Sequence, residues 1–220
     1  MTTDASSLSR AMTGPADPPL LPLPARVVEL LTATGCSPRL AAHLRAVHDV
    51  ARRLTDWLET HRPALRFDRD AVLFGAATHD IGKSVHVAEL SGPGHAHEHA
   101  GRALLLAQGV APELARFAAT HASWTDPGIA PEDLLVSLAD KIWKNKRVPG
   151  LEDLLVSRLT EATGAPAWEE FLALDELLTR IGESADVRLA FQSSFPTAPP
   201  RRIAHLPDPD PDPAPDARTP

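Results

Sequence analysis

The stretch that most constrains this chain is an apolar run ending abruptly in charge: Ala71-Val72-Leu73-Phe74-Gly75-Ala76-Ala77-Thr78-His79-Asp80-Ile81-Gly82-Lys83. Near-continuous apolarity without alternation reads as a helix buried on all sides. Asp68 or Asp70 stands where its cap would be. Such a helix needs neighbours all round, so the chain must supply several more.

It does. Residues 24–33 form a short first helix, stopped by Gly35. Pro38 opens a second, on which Val47, Val50, Leu54 and Leu58 make one apolar face, with His48 beside it. After the apolar run, residues 87–94 read as a loop. A fourth helix spans 95–108, with Gly109 as its C′ residue. Pro112 opens a fifth, holding Leu114, Phe117, Ala118 and His121. Pro131, followed by Glu132 and Asp133, opens a sixth, with Asp140 set among Leu134, Leu135, Leu138 and Ile142. Residues 151–162 and 167–190 give two more. Strand alternation is hard to find. The expected fold is all-α, a bundle of about seven or eight helices.

The ends read differently. Residues 1–22 are rich in Ser, Thr, Ala, Pro and Asp, with little periodicity, and are expected to be a disordered arm. Residues 196–220 hold nine prolines, and their Pro-Asp alternation cannot continue a helix, so an extended acidic tail is expected. The folded domain is then 23–195. A formal charge of −7 argues against a broad nucleic-acid surface. A single cysteine, Cys36, suits a reducing compartment, and no signal peptide or apolar span of membrane length is present. The expectation is a cytoplasmic protein with no membrane partner.

Chemistry-bearing residues recur on successive helical segments: His48, His79-Asp80, the trio His95, His97 and His99, His121, and Asp140. A carboxylate buried at 140 needs a partner, because an unpaired one is expensive. Adjacent residues on a helix point about 100° apart, so His79 and Asp80 can share one ion only at the helix end. Imidazole with carboxylate suits Zn, Mn, Fe, Ni or Mg rather than Cu(I). Of the trio, at most one or two can face one point. His43, His61 and His205 read as surface residues.

The order of these residues resembles the HD-domain metal-dependent phosphohydrolase superfamily. That family shows a His, about 30 residues later a His-Asp pair, optionally two further His, and a distal Asp. Here His48 and His79 are 31 positions apart. HDIGK at 79–83, HEHAGRALL at 97–105, ATHASW at 119–124 and LADKIWK at 138–144 are similar to its segments, over a motif core of residues 40–147. Arg102 stands where a small residue is more usual.

The resemblance implies one divalent ion on His48, His79, Asp80 and Asp140. It allows a second on His97, His121 and a bridging Asp80, with His99 as the alternate. The metal identity stays open among Mn, Fe, Co, Ni, Zn and Mg. The implied activity is hydrolysis of a phosphate ester of a nucleotide or small phosphorylated metabolite. Asp80, Lys83 and Glu98 are the candidate catalytic residues, and Lys83 and Lys141 the candidate phosphate contacts. Lys144, Lys146 and Arg147 read as a solvated basic helix end, and Trp124 and Trp143 as core. An HD-type di-iron oxygenase and a metal- or nucleotide-binding regulatory module are the rival readings. The helices over 151–195 complete the core, shape a pocket or make a homodimer face.

Overall fold

The longest helix, α3 (Pro38–His61), organises the packing. The computed structural model describes residues 3–126 and 128–198, with side chains from residue 6. Pro38 sits in the first turn of α3, and the Ser37 hydroxyl accepts the amide N–H of Leu40 at 3.3 Å. The faces of α3 pack against α1 (Thr3–Thr13), α4 (Arg69–Thr78), α8 (Pro131–Ile142) and α11 (Ala185–Ser193). Val47, Val50, Leu54 and Leu58 all lie in the core.

The apolar run is α4, and Asp68 rather than Asp70 caps it, accepting Ala71 N–H at 3.0 Å. Helix α4 ends at Thr78, and His79-Asp80 form the corner before a 3-10 turn, Ile81–Ser84. The expected loop at 87–94 holds a second 3-10 turn, Val87–Leu90. Helix α5 (Ala96–Ala107) follows, and Gly109 takes φ 73° after it. Helix α2 (Ala25–Ala33) and helix α9 (Pro149–Thr163) lie where periodicity puts them.

Two expected helices are broken. The helix from Pro112 divides into single turns, α6 (Pro112–Ala115) and α7 (Phe117–Thr120). Arg116 Nη1 donates to the Glu113 carbonyl, the acceptor that the Phe117 N–H would need in a continuous helix. The helix expected over 167–190 divides into α10 (Ala167–Gly182) and α11. Arg188 Nη2 donates to the Ile181 carbonyl at 2.7 Å, the acceptor that would have continued the ladder. Counting these pieces, the described residues hold eleven α-helical segments and no strand.

The N-terminal arm departs from expectation. Over α1 it is helical, and Leu8, Ala11, Met12 and Leu20 are buried in the common core. The tail assigned to 196–220 lies, from residue 199 on, outside the described residues, as does His205. Among the described residues no helix is long and apolar enough to cross a membrane.

Candidate metal centre

Five helical elements bring their polar ends to one buried point. Helix α3 contributes His43, the α4 corner His79 and Asp80, the first turn of α5 His97, the end of α7 His121, and α8 Asp140. Asp80 sits between the two halves of the cluster. Its Oδ2 lies 3.2 Å from His43 Nε2 and 3.6 Å from His79 Nε2. Its Oδ1 lies 3.2 Å from His97 Nε2 and 3.6 Å from His121 Nε2. Asp140 Oδ1 is 3.4 Å from His79 Nε2 and 3.9 Å from His43 Nε2.

The imidazoles are turned by what their other nitrogens meet. His79 Nδ1 faces the Ala76 carbonyl at 3.0 Å, and His121 Nδ1 the Ala118 carbonyl at 3.1 Å. His97 Nδ1 faces Glu89 Oε2 at 2.5 Å. Each of these partners only accepts, so Nδ1 carries the proton and the Nε2 lone pair points into the cluster. This is the arrangement that fixes tautomer and ring orientation in metal-binding histidines.

That leaves unmet lone pairs. His43 Nε2, His79 Nε2, His97 Nε2 and Asp80 Oδ1 are all buried with no hydrogen-bond partner. Converging buried acceptors repel one another unless a cation lies between them. The ligand atoms of His43, His79 and Asp80 lie within 4.8 Å of one another, as do those of Asp80, His97 and His121. Ligands about 2.1 Å from one ion stand roughly 3.0–3.5 Å apart, close to most of the separations above. The donor set of imidazole and carboxylate fits a divalent cation of the Zn, Mn, Fe or Ni kind.

The electrostatics agree at the carboxylates, His43 and His121; at His97 burial is outweighed by Asp80 and Glu89, which raise its pKa and favour a proton that a bound cation would displace. Burial would raise the Asp80 carboxyl, but His79, His43 and His97 outweigh it and hold the group well below the ordinary carboxylate range. Burial also opposes ionisation of Asp140, yet His79 and Lys141 keep it low. Burial lowers His43, and takes His121 down to about 4. Anionic carboxylates and neutral imidazoles are the forms that bind metals.

A cavity of about 430 Å³ opens over the cluster. Lys83, Glu98, Lys141 and Lys144 supply its polar lining, and Leu40 and Leu189 part of its apolar wall. Lys83 Nζ reaches Asp80 Oδ2 at 2.6 Å, and Lys141 Nζ reaches Asp140 Oδ2 at 2.6 Å. Glu98 Oε1 pairs with His95 Nδ1 at 2.9 Å. Arg147 is engaged elsewhere, by Glu152 and Asp175. Trp143 is core, its ring edge-on to His43 at 4.8 Å, while Trp124 is partly buried beneath Lys141.

The sequence reading therefore needs one correction. His48, expected as the first ligand, is not in the cluster, and His43, expected on the surface, is. The two are five positions apart on α3, about 140° round the helix, so both cannot face one point. Of the trio, His97 is the buried member, and His95 and His99 are exposed. The partner that orients His97 is Glu89, from the segment expected as a loop, where a lone Glu carries no periodic signal.

Residues 40–143 match the family model of the HD domain. Comparison with curated proteins and with solved structures finds no match. The matched region takes in all six residues of the cluster. Residues 40–143 are thus an HD domain, the domain that the HD-domain metal-dependent phosphohydrolase superfamily shares.

Proposed function

We propose that the protein hydrolyses a phosphate ester of a nucleotide or small phosphorylated metabolite, using divalent ions held by His43, His79, Asp80 and Asp140 and by Asp80, His97 and His121. The observation that carries this reading is the set of buried, partnerless Nε2 and Oδ1 atoms converging beneath a lysine-lined cavity. Bound ions would polarise the phosphate oxygens and supply an acidified water near neutral pH.

The chain's own groups do the rest. Asp80 faces both halves of the cluster and would hold the two ions together. Lys83 and Lys141 each lie 2.6 Å from an aspartate and at the cavity wall, where they would take up the non-bridging phosphate oxygens. Glu98 reaches the cavity and would hold the attacking water in line with phosphorus. Attack forms the new P–O bond as the ester P–O bond breaks, and the departing alkoxide takes a proton from solvent. Leu40 and Leu189 shield one side of the cavity and would meet the substrate's apolar part.

The test is phosphate release from a panel of nucleotides and sugar phosphates. Metal-stripped protein would be reloaded separately with Mn, Fe, Co, Ni, Zn and Mg. Release should require metal and fall at least roughly 1000-fold in Asp80→Ala, which removes a group from both ion sites. Release independent of metal, or of Asp80, would sink the reading. Protein that retains iron, consumes oxygen and releases no phosphate would replace it with the di-iron oxygenase.

A further inference from the structure

We infer that Glu89 is the residue that makes the second ion site, by orienting His97 and locking it to the start of α5. This rests on the two-ion reading above. Glu89 comes from the 3-10 turn Val87–Leu90, outside any helix that carries a ligand. Its carboxylate makes three contacts at one place. Oε1 accepts the Ala96 N–H at 3.2 Å; Oε2 accepts the His97 N–H at 3.1 Å and the His97 Nδ1–H at 2.5 Å. Main chain and side chain of His97 are thus held by the same group.

The consequence is directional. His97 Nε2 is buried without a hydrogen-bond partner and lies 3.2 Å from Asp80 Oδ1. A ring gripped at Nδ1 cannot rotate that lone pair away, and a carboxylate on Nδ1 makes Nε2 the better donor. His79 and His121 have only main-chain carbonyls in the same role. The second ion alone would therefore rest on a charged outer partner.

The backbone makes room for this. Gly94 has φ 156°, a conformation that a side chain disfavours. A Cβ there would fall 2.3 Å from Glu89 Oε1 and 2.5 Å from its Cδ. Only glycine at 94 lets the carboxylate lie where it does.

The experiment is a calorimetric titration of the metal-free full chain with Co2+, with the visible absorption of the bound ion followed in parallel. Wild type should bind in two steps, and His97→Gln should abolish the weaker one. Glu89→Ala should weaken that same step roughly 10–100-fold, the usual cost of losing an outer-shell partner. The tighter step should stay within about twofold. Glu89→Gln, which keeps an acceptor, should recover part of the loss. Gly94→Ala should reproduce the loss with the glutamate still present. Far-UV circular dichroism of each metal-free variant checks that α5 persists. Two unchanged steps in Glu89→Ala with a lowered melting temperature would make Glu89 a helix cap and overturn the inference. A single step in wild type would overturn both this inference and the two-ion reading.

Discussion

His43 and His48 share α3 but not a face, and the turn of about 140° between them separates a cluster residue from a buried bystander. His43 Nε2 meets Asp80 and Asp140. His48 is buried with its Nδ1 unpartnered, and desolvation takes its pKa from 6.5 down to about 4. The two substitutions should behave oppositely. His43→Gln should cost at least about 100-fold in metal affinity, the upper end of what an outer-shell loss costs, and His48→Gln should leave affinity unchanged. For His48 the pH dependence carries the sign. The unfolded chain takes up the proton near pH 6.5, but the folded chain resists it until about pH 4. The unfolded state binds more protons in that window, so wild-type stability falls as pH drops from 6.5 to 4, by about 3 kcal/mol from this residue. Chemical denaturation of metal-free protein across that range should show a shallower slope for His48→Gln, whatever its absolute stability. An identical slope would remove the buried-neutral account of His48. The sequence carried His79, Asp80, His97, His121 and Asp140 legibly, because motif residues and helix periodicity agreed there. It failed at His43 because both α3 histidines are buried, and composition does not distinguish burial in a core from burial at a site.

Among the elements, the corner after α4 is the tightest point in the fold. The 3-10 turn Ile81–Ser84 lies so close to α5 that a Cβ at Gly82 would fall 1.9 Å from the His97 carbonyl oxygen and 2.6 Å from Gly101 N. Both are backbone atoms, so no side chain can swing aside. Gly82→Ala must push α5 away from the corner, and with it His97 from Asp80. The melting temperature should drop by an amount corresponding to at least about 3 kcal/mol, at the top of the overpacking range because backbone has to move. The weaker Co2+ step should be lost with it. A wild-type melting curve would show that the corner yields more easily than its geometry implies. This contact also explains the glycine in HDIGK: it is a packing requirement between the elements that carry Asp80 and His97. The helix breaks were illegible for a related reason. Arg116 and Arg188 each divert a carbonyl from a continuous ladder, and each is held by a distant group, Asp133 for one and the Trp143 carbonyl for the other. Periodicity describes a helix's own residues and cannot register a guanidinium anchored elsewhere in the fold.

On the scale of the whole molecule, the region matching the HD domain does not close its own core. From the C-terminal side, Leu155, Leu159, Leu174, Leu178 and Ile181 enter it, and Leu189 and Gln192 of α11 line the cavity. From the N-terminal side, α1 and the following segment cover α3. Here Arg45, 1% exposed, replaces water as the donor. Its guanidinium donates to the carbonyls of Gly14 at 2.8 Å, Leu20 at 2.6 Å and Leu21 at 2.8 Å. Arg10 and Ala11 carbonyls at the end of α1 lie at 3.4 Å. A Ser-, Ala- and Pro-rich arm with few large apolar residues carries too little periodicity to be recognised as structured. It is ordered instead by one buried cation two residues from His43. Deleting residues 1–22 strips the cover from α3 and leaves Arg45 without any of these acceptors. Burial of Leu8, Met12 and Leu20 contributes on the order of 5 kcal/mol, a large part of the 5–15 kcal/mol typical of a domain. The truncated chain should therefore unfold at least about 10 °C lower. Because α3 carries His43, the tighter Co2+ step should weaken as well. Arg45→Met, which keeps the arm and its apolar contacts, should show a smaller loss of the same kind. If the truncated protein melts within about 2 °C of wild type, the arm is an ornament on a domain complete without it, and Arg45 finds equivalent partners in water.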